Sequence, residues 1–259
     1  MNFLSFVNVE FKKIRRSKIF LILILANIIL WLPSIFDSDI HFSANTTQSF
    51  AISPENSFFI QGFMPLAWFV FPATMVVVVV LQSQIERKNQ GILKMLTLPI
   101  NTAKICMAKF IVLFLFSVIN FTIATAMYYI TCGIVSQIQE YNIFLPLTFV
   151  LNKVFIMWFC SIPMLAFFWM ISVCIYTPIF SIMIGFASIV PSIIMINTKI
   201  WFLYPMSYIF YFVTAEYGKL ADNLSTAQIE LFPWILIAIF ITIICLLISC
   251  IRFGKGERR

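Results

Sequence analysis

Charge is scarce in this chain: 10% of its 259 residues are Asp, Glu, Lys or Arg, against 62% that are hydrophobic. So few charges cannot cover a water-facing surface, which excludes an ordinary soluble domain. Histidine occurs once, as His41, with no Cys or His neighbour, so no metal centre is expected. The six cysteines, Cys106, Cys132, Cys160, Cys174, Cys245 and Cys250, form no CxxC pair. They lie within or near apolar runs and read as reduced packing residues. Seven glycines are too scattered to cradle a phosphate, and the GxxxxGK(S/T), GxSxG and HExxH patterns are all missing. The chain is expected to be no enzyme and to bind no cofactor itself, and nucleic acid is not expected among its partners.

What the sequence has instead is apolar length. With a mean hydropathy of +1.01, it divides into six runs, each about long enough to cross a hydrocarbon layer of roughly 30 Å as a helix. The predicted spans are Ile19 to Phe36, Phe58 to Leu81, Phe110 to Ile134, Val154 to Tyr176, Pro178 to Ile196 and Leu231 to Ile251. No run alternates as an outer-membrane strand does, and backbone groups in lipid must be paired internally. The expected fold is therefore an all-α membrane bundle, a single permease-like domain over residues 1–259.

Basic residues orient it. Lys12, Lys13, Arg15, Arg16 and Lys18 precede span 1; Arg87, Lys88, Lys94, Lys104 and Lys109 lie between spans 2 and 3; Arg252, Lys255, Arg258 and Arg259 follow span 6. Six spans bring all three groups to one side, so both termini are expected to be cytoplasmic in a cell membrane. The other side is net acidic, with Asp37, Asp39, Glu55, Glu140, Glu216, Asp222 and Glu230. That asymmetry follows from insertion rules alone, or it marks an outer mouth suited to cations. The N-terminal region has no small-residue cleavage site and is expected to be retained. Phe3, Leu4, Val7, Phe11 and Ile14 share one helical arc, which predicts an amphipathic interfacial helix over residues 1–18 with its basic face on lipid headgroups.

The spans hold essentially no ionisable group at mid-depth, which argues against a gradient-coupled carrier. Lys153 begins span 4, where its stem can snorkel to the interface or its charge can serve a pathway. Ser117 and Asn120 share a side of span 3, for hydrogen bonds between helices or for a pathway lining. Pro72, Pro163 and Pro191 are candidate kinks. Residues 200–213 are apolar but too short to span, so a re-entrant or interfacial segment is expected. On a helix, Trp201, Tyr204, Tyr208 and Tyr211 would share one face, as a headgroup-level belt, an outer gate or a substrate contact, although Pro205 threatens that helix.

One polar stretch remains, SQIERKNQGILKMLTLPINTAK at residues 83–104. As a helix from Gln84 to Leu98, it gathers Ile85, Ile92, Met95 and Leu96 on one side, with Arg87 and Lys94 opposite. Pro99 ends that helix, and Asn101 or Thr102 caps the next, which runs through Lys104 and Lys109 into span 3. The alternative is a solvated loop whose lysines meet headgroups.

The run Glu86-Arg87-Lys88-Asn89-Gln90-Gly91-Ile92-Leu93-Lys94-Met95-Leu96, followed by Thr97-Leu98-Pro99-Ile100, resembles the first cytoplasmic loop of ABC-2-type permeases. The resemblance implies a coupling helix docked into a nucleotide-binding subunit. Glu86 and Arg87 would hold its junction with span 2 by local charge pairing. Gly91, Ile92, Met95 and Leu96 would face the ATPase, with Lys94 in the same element. Small Phe- and Ile-rich permeases of this kind resemble the subunits of lantibiotic-protection transporters of Gram-positive bacteria. Such transporters export antimicrobial peptides or other amphipathic compounds through two permeases, identical or related, and an ATPase dimer that binds ATP and Mg. A non-transporting membrane sensor or assembly protein, or an ion-coupled carrier, is the alternative.

Overall fold

The computed structural model describes residues 3–15, 17–36, 53–87, 102–220 and 231–255. Among them every regular element is helical, and six helices are long and apolar enough to cross a membrane. Helix α1 (Phe3–Arg15) precedes span 1, α2 (Ile19–Phe36). Span 2 is one rod of three pieces: α3 (Pro54–Pro65), a π turn (Leu66–Val70) and α4 (Phe71–Arg87). Span 3 is α5 (Thr102–Ile138) and span 4 is α6 (Leu147–Cys174). Span 5 is split into α7 (Pro178–Ala187) and α8 (Pro191–Ile196). Two 3-10 turns (Trp201–Leu203 and Pro205–Ser207) lead into α9 (Tyr208–Leu220), and α10 (Leu231–Lys255) is span 6.

Prolines set most of the breaks. Pro54 starts α3 at a position whose N–H needs no helical partner, behind an extended Ser53. Pro65 and Pro72 flank the π turn. Neither can donate to the carbonyl four residues back, and the ring of each crowds it. The helix widens between them, and the Phe71 N–H reaches the Leu66 carbonyl, five residues back. Pro191 restarts span 5 after the turn at residues 188–190, the expected kink.

The largest departure from the expected lengths is span 3. Its apolar centre predicted residues 110–134, but α5 has 37 residues, about 55 Å at 1.5 Å per residue, well beyond the hydrocarbon layer. The rod is continuous from Thr102, so Lys104 and Lys109 lie in its first turns, as the capping pattern anticipated. Span 4 likewise starts earlier than expected, at Leu147 behind Pro146.

Spans 2, 3 and 4 form the centre, with 56%, 50% and 61% of their apolar windows buried, against 22%, 22% and 17% for spans 1, 5 and 6. The peripheral helices keep apolar faces outward, as lipid requires. At the end away from α1, Trp31 is driven into a nest of Phe58, Phe63 and Tyr128, with ring centroids 5.6 to 6.3 Å from its own. Only a glycine makes room for it. A Cβ at Gly62 would stand 2.2 Å from the Trp31 ring.

Candidate functional site

Span 2 ends at Arg87, and its guanidinium reaches across to the end of α6. It donates to the carbonyls of Ser172 at 3.1 Å, Ile175 at 3.3 Å and Tyr176 at 2.9 Å, and lies 4.8 Å from the Tyr176 ring centroid. These carbonyls have lost their helical partners, because the chain turns extended at Ile175, and a cation there also meets the negative end of the helix dipole. Gln84 to Arg87, expected to open a separate helix, instead continue the helix of span 2. Arg87 gains a role beyond the expected pairing with Glu86: it ties span 2 to span 4. The side chain of Glu86, and Gly91, Ile92, Lys94, Met95 and Leu96 entirely, lie outside the described residues.

Where the chain re-enters at Thr102, a buried ion pair holds the rod. Lys109 Nζ lies 3.3 Å from Glu10 Oε2 of α1, and Lys13 Nζ is 2.8 Å from the other carboxylate oxygen. The Lys109 backbone carbonyl accepts from Gln82 of span 2 at 2.9 Å, and its ammonium lies 6.0 Å from the Phe253 ring. Burial alone would raise the Glu10 carboxyl, but Lys109 and the bond from Lys13 outweigh it and hold the group below its usual range. Of the apolar arc of α1, Ile14 is buried, Val7 packs against the core and Phe11 stacks on Phe116. α1 is thus more than an interfacial helix, since its one acid is locked into the bundle. The signal was present: Glu10 is the only acidic residue before Asp37.

At mid-depth three spans share a chain of amides and hydroxyls. Asn27 Nδ2 donates to Asn120 Oδ1 at 2.7 Å, Asn120 Nδ2 to Thr74 Oγ1 at 3.1 Å, and Thr74 to the Phe71 carbonyl at 2.8 Å. Ser117 accepts from Trp158 Nε1 at 3.0 Å. Of the two readings of Asn120, bonding between helices is the one found. The residue is 1% exposed.

The opposite end carries the aromatic segment. Trp201 stacks on Tyr211 with centroids 3.7 Å apart and 13° between planes, and lies 5.6 Å from Trp234 of span 6. Tyr208 donates to the Phe202 carbonyl at 2.5 Å, and Tyr204 to that of Ser188. Both phenols are pushed up by burial. The single helical face expected for Trp201, Tyr204, Tyr208 and Tyr211 does not exist, because Pro205 divides the segment. Tyr208 is fully buried and lies against a groove between spans 4 and 6. Lys153, read as snorkelling or pathway, is paired with Glu216 of α9 at 2.5 Å, and Lys219 holds the other oxygen at 3.0 Å. Glu216 therefore contributes little to an acidic mouth. Its carboxyl, which burial would raise, is held low by the bonds from Lys153 and Lys219.

Between span 1 and the α3 half of span 2 lies an open groove of about 880 Å³, walled by Ile29, Pro33, Trp68 and Phe210. Ser57 and Gln61, 3.2 Å apart, supply polar groups there. A second groove of about 520 Å³, almost wholly apolar, separates spans 4 and 6 at Phe159, Pro163 and Ile239. Such walls suit hydrocarbon, not a charged cofactor. Among the described residues no three His, Cys, Asp or Glu cluster to hold a metal, and all six cysteines are free.

A family model described as ABC-2 family transporter protein matches residues 6–192, a stretch running from α1 into α8. No curated protein and no solved structure matches.

Proposed function

We propose, starting from a chain that belongs to the ABC-2 transporter family, that it is the permease subunit of an exporter driven by a cytoplasmic ABC ATPase. Residues 88–101 would be the element that meets that ATPase, with Ile92, Met95 and Leu96 as its apolar contacts. The observation carrying the reading is the anchoring on either side of this segment: Arg87 holds the end of span 4, and Lys109 holds α1. A segment fastened to the bundle on both sides passes displacement into it instead of absorbing it. ATP and Mg would act on the ATPase dimer, and closure of that dimer drives the permease only if it binds one permease state better than the other.

The substrate class we infer is amphipathic. The two grooves offer apolar walls within the membrane-spanning region and polar groups at Ser57 and Gln61. A lantibiotic-type peptide drawn from the membrane of a Gram-positive cell fits that chemistry, as does a smaller amphipathic compound. Two permeases, identical or related, would complete the transporter, with both termini of each in the cytoplasm. The mid-depth groups described are amides and hydroxyls with no exchangeable charge, which weighs against an ion-coupled carrier.

The test is co-expression with the phosphate-loop ATPases of the source genome, one at a time. One of them is expected to co-purify with the chain, and Ile92→Glu or Leu96→Glu should abolish peptide-stimulated ATP hydrolysis and peptide resistance. Undiminished resistance in both variants would refute the assignment.

A further inference from the structure

A buried ion pair is a costly way to join two helices. Both charges leave water, and apolar side chains of similar size often hold helices equally well. Its distinct property is register. Apolar surfaces attract without direction, whereas a shifted ion pair strands a buried charge, so the contact is either made in one position or lost.

Glu10 and Lys109 have side chains 5% and 3% exposed. Lys109 lies seven residues into α5, just beyond the 88–101 segment. From there the N-terminal elements climb one stripe of α5: Phe11 and Phe20 meet Phe116, Asn27 meets Asn120 and Trp31 meets Tyr128. The near end of the segment is fastened elsewhere, through Arg87 to Ser172, Ile175 and Tyr176 of span 4. Residues 88–101 therefore join two differently anchored ends.

We propose that Glu10 and Lys109 are positioning residues of the export cycle: their ion pair locks α1, span 1 and span 3 into one body at its force-receiving end. Displacement of residues 88–101 then reaches span 1, one wall of the larger groove, together with span 3. The inference rests on the reading of residues 88–101 as the ATPase contact. Gln82, which bonds the Lys109 carbonyl, is the joint nearest the 88–101 segment across which this body shifts against spans 2 and 4, with Asn120–Thr74 and Ser117–Trp158 further along.

The test measures distances between spin labels in the assembled permease–ATPase complex, with and without a non-hydrolysable ATP analogue. One pair, Val9→Cys with Lys104→Cys, lies within the proposed body; the other, Lys104→Cys with the native Cys174, lies across its boundary. Each is studied in a chain lacking the remaining cysteines. The expected result is an unchanged Val9–Lys104 distribution and a shifted Lys104–Cys174 distribution. Nucleotide-dependent change within the first pair overturns the lock while leaving the coupling reading intact. No change in the second pair overturns the coupling reading, and with it the inference. Glu10→Leu combined with Lys109→Leu removes both buried charges, and Lys13, whose side chain is 35% exposed, loses its bond to Glu10 where water can replace it. It should keep the complex assembled, broaden the Val9–Lys104 distribution and lower export about tenfold. Export unchanged in that variant, or a complex that does not assemble, assigns the pair to folding alone and overturns the proposal.

Discussion

Arg87 closes the end of the helix that leads to Tyr176, donating to the Tyr176 carbonyl at 2.9 Å while its guanidinium lies 4.8 Å from the ring of the same residue. One side chain therefore serves two spans. Arg87→Ala is expected to cost about 2 kcal/mol, the scale of hydrogen bonds from a charged group. Arg87→Lys should recover only part, since an ammonium lacks the planar fork that reaches several carbonyls. Thermal unfolding in detergent checks both.

Gly62 and Trp31 form a size-matched pair. Gly62→Ala places a methyl where the Trp31 ring now stands, 2.2 Å away, and is expected to destabilise by about 1–3 kcal/mol through overpacking. Trp31→Phe shortens the ring, so the double variant should be more stable than Gly62→Ala alone. A double-mutant cycle of unfolding free energies reads the coupling.

Asn120→Leu leaves Asn27 without its 2.7 Å partner on span 3 and Thr74 without a donor. Hydrogen bonds between membrane helices are individually modest, so a loss of about 1 kcal/mol is expected in denaturant titrations. Asn120 lines neither groove, but Thr74 lines the larger one, so any change in substrate affinity is expected to act through Thr74 and to be matched by Thr74→Val.

Glu216 makes stability depend on acid. Its folded carboxyl is held below the usual value of 4.5 by Lys153 and Lys219, against the upward push of burial. Its contribution is present above pH 4.5 and is lost as pH falls through the lower folded value. Glu216→Gln should therefore reduce stability at neutral pH and flatten the acid limb of a melting-temperature profile. Glu10 titrates in the same direction, so the comparison is best made beside Glu10→Gln.

The spans were legible because lipid imposes one simple demand, twenty or so apolar residues in a row, and the chain answers it six times. Their ends were less so. Span 3 outruns its apolar centre because Thr102 to Lys109 carries two lysines yet is still helical, and hydropathy registers composition, not backbone. The kink at Pro191 and the break at Pro205 were legible from proline alone, whose missing N–H acts locally. The ion pairs were not. Glu10 meets Lys109 and Lys153 meets Glu216 across large separations in the chain, and no local pattern encodes a meeting of that kind. For Asn120, bonding between helices was among the expectations, but its partner Asn27 was not, since a lone amide in an apolar run does not announce which helix it will face.

The π turn between Pro65 and Pro72 has a consequence of phase. An extra residue in one turn rotates everything beyond it by about 100° relative to an uninterrupted helix. Before the turn, Phe58 and Phe63 point to Trp31 and Tyr128 of spans 1 and 3. Beyond it, Gln82 meets the Lys109 carbonyl, and Ser83 and Arg87 meet Ser172 of span 4. Phe59 already meets Phe149 of span 4 before the turn, and Thr74 still meets Asn120 of span 3 beyond it. Both halves of span 2 keep the same neighbours, and the turn is the phase offset between two stretches of one rod.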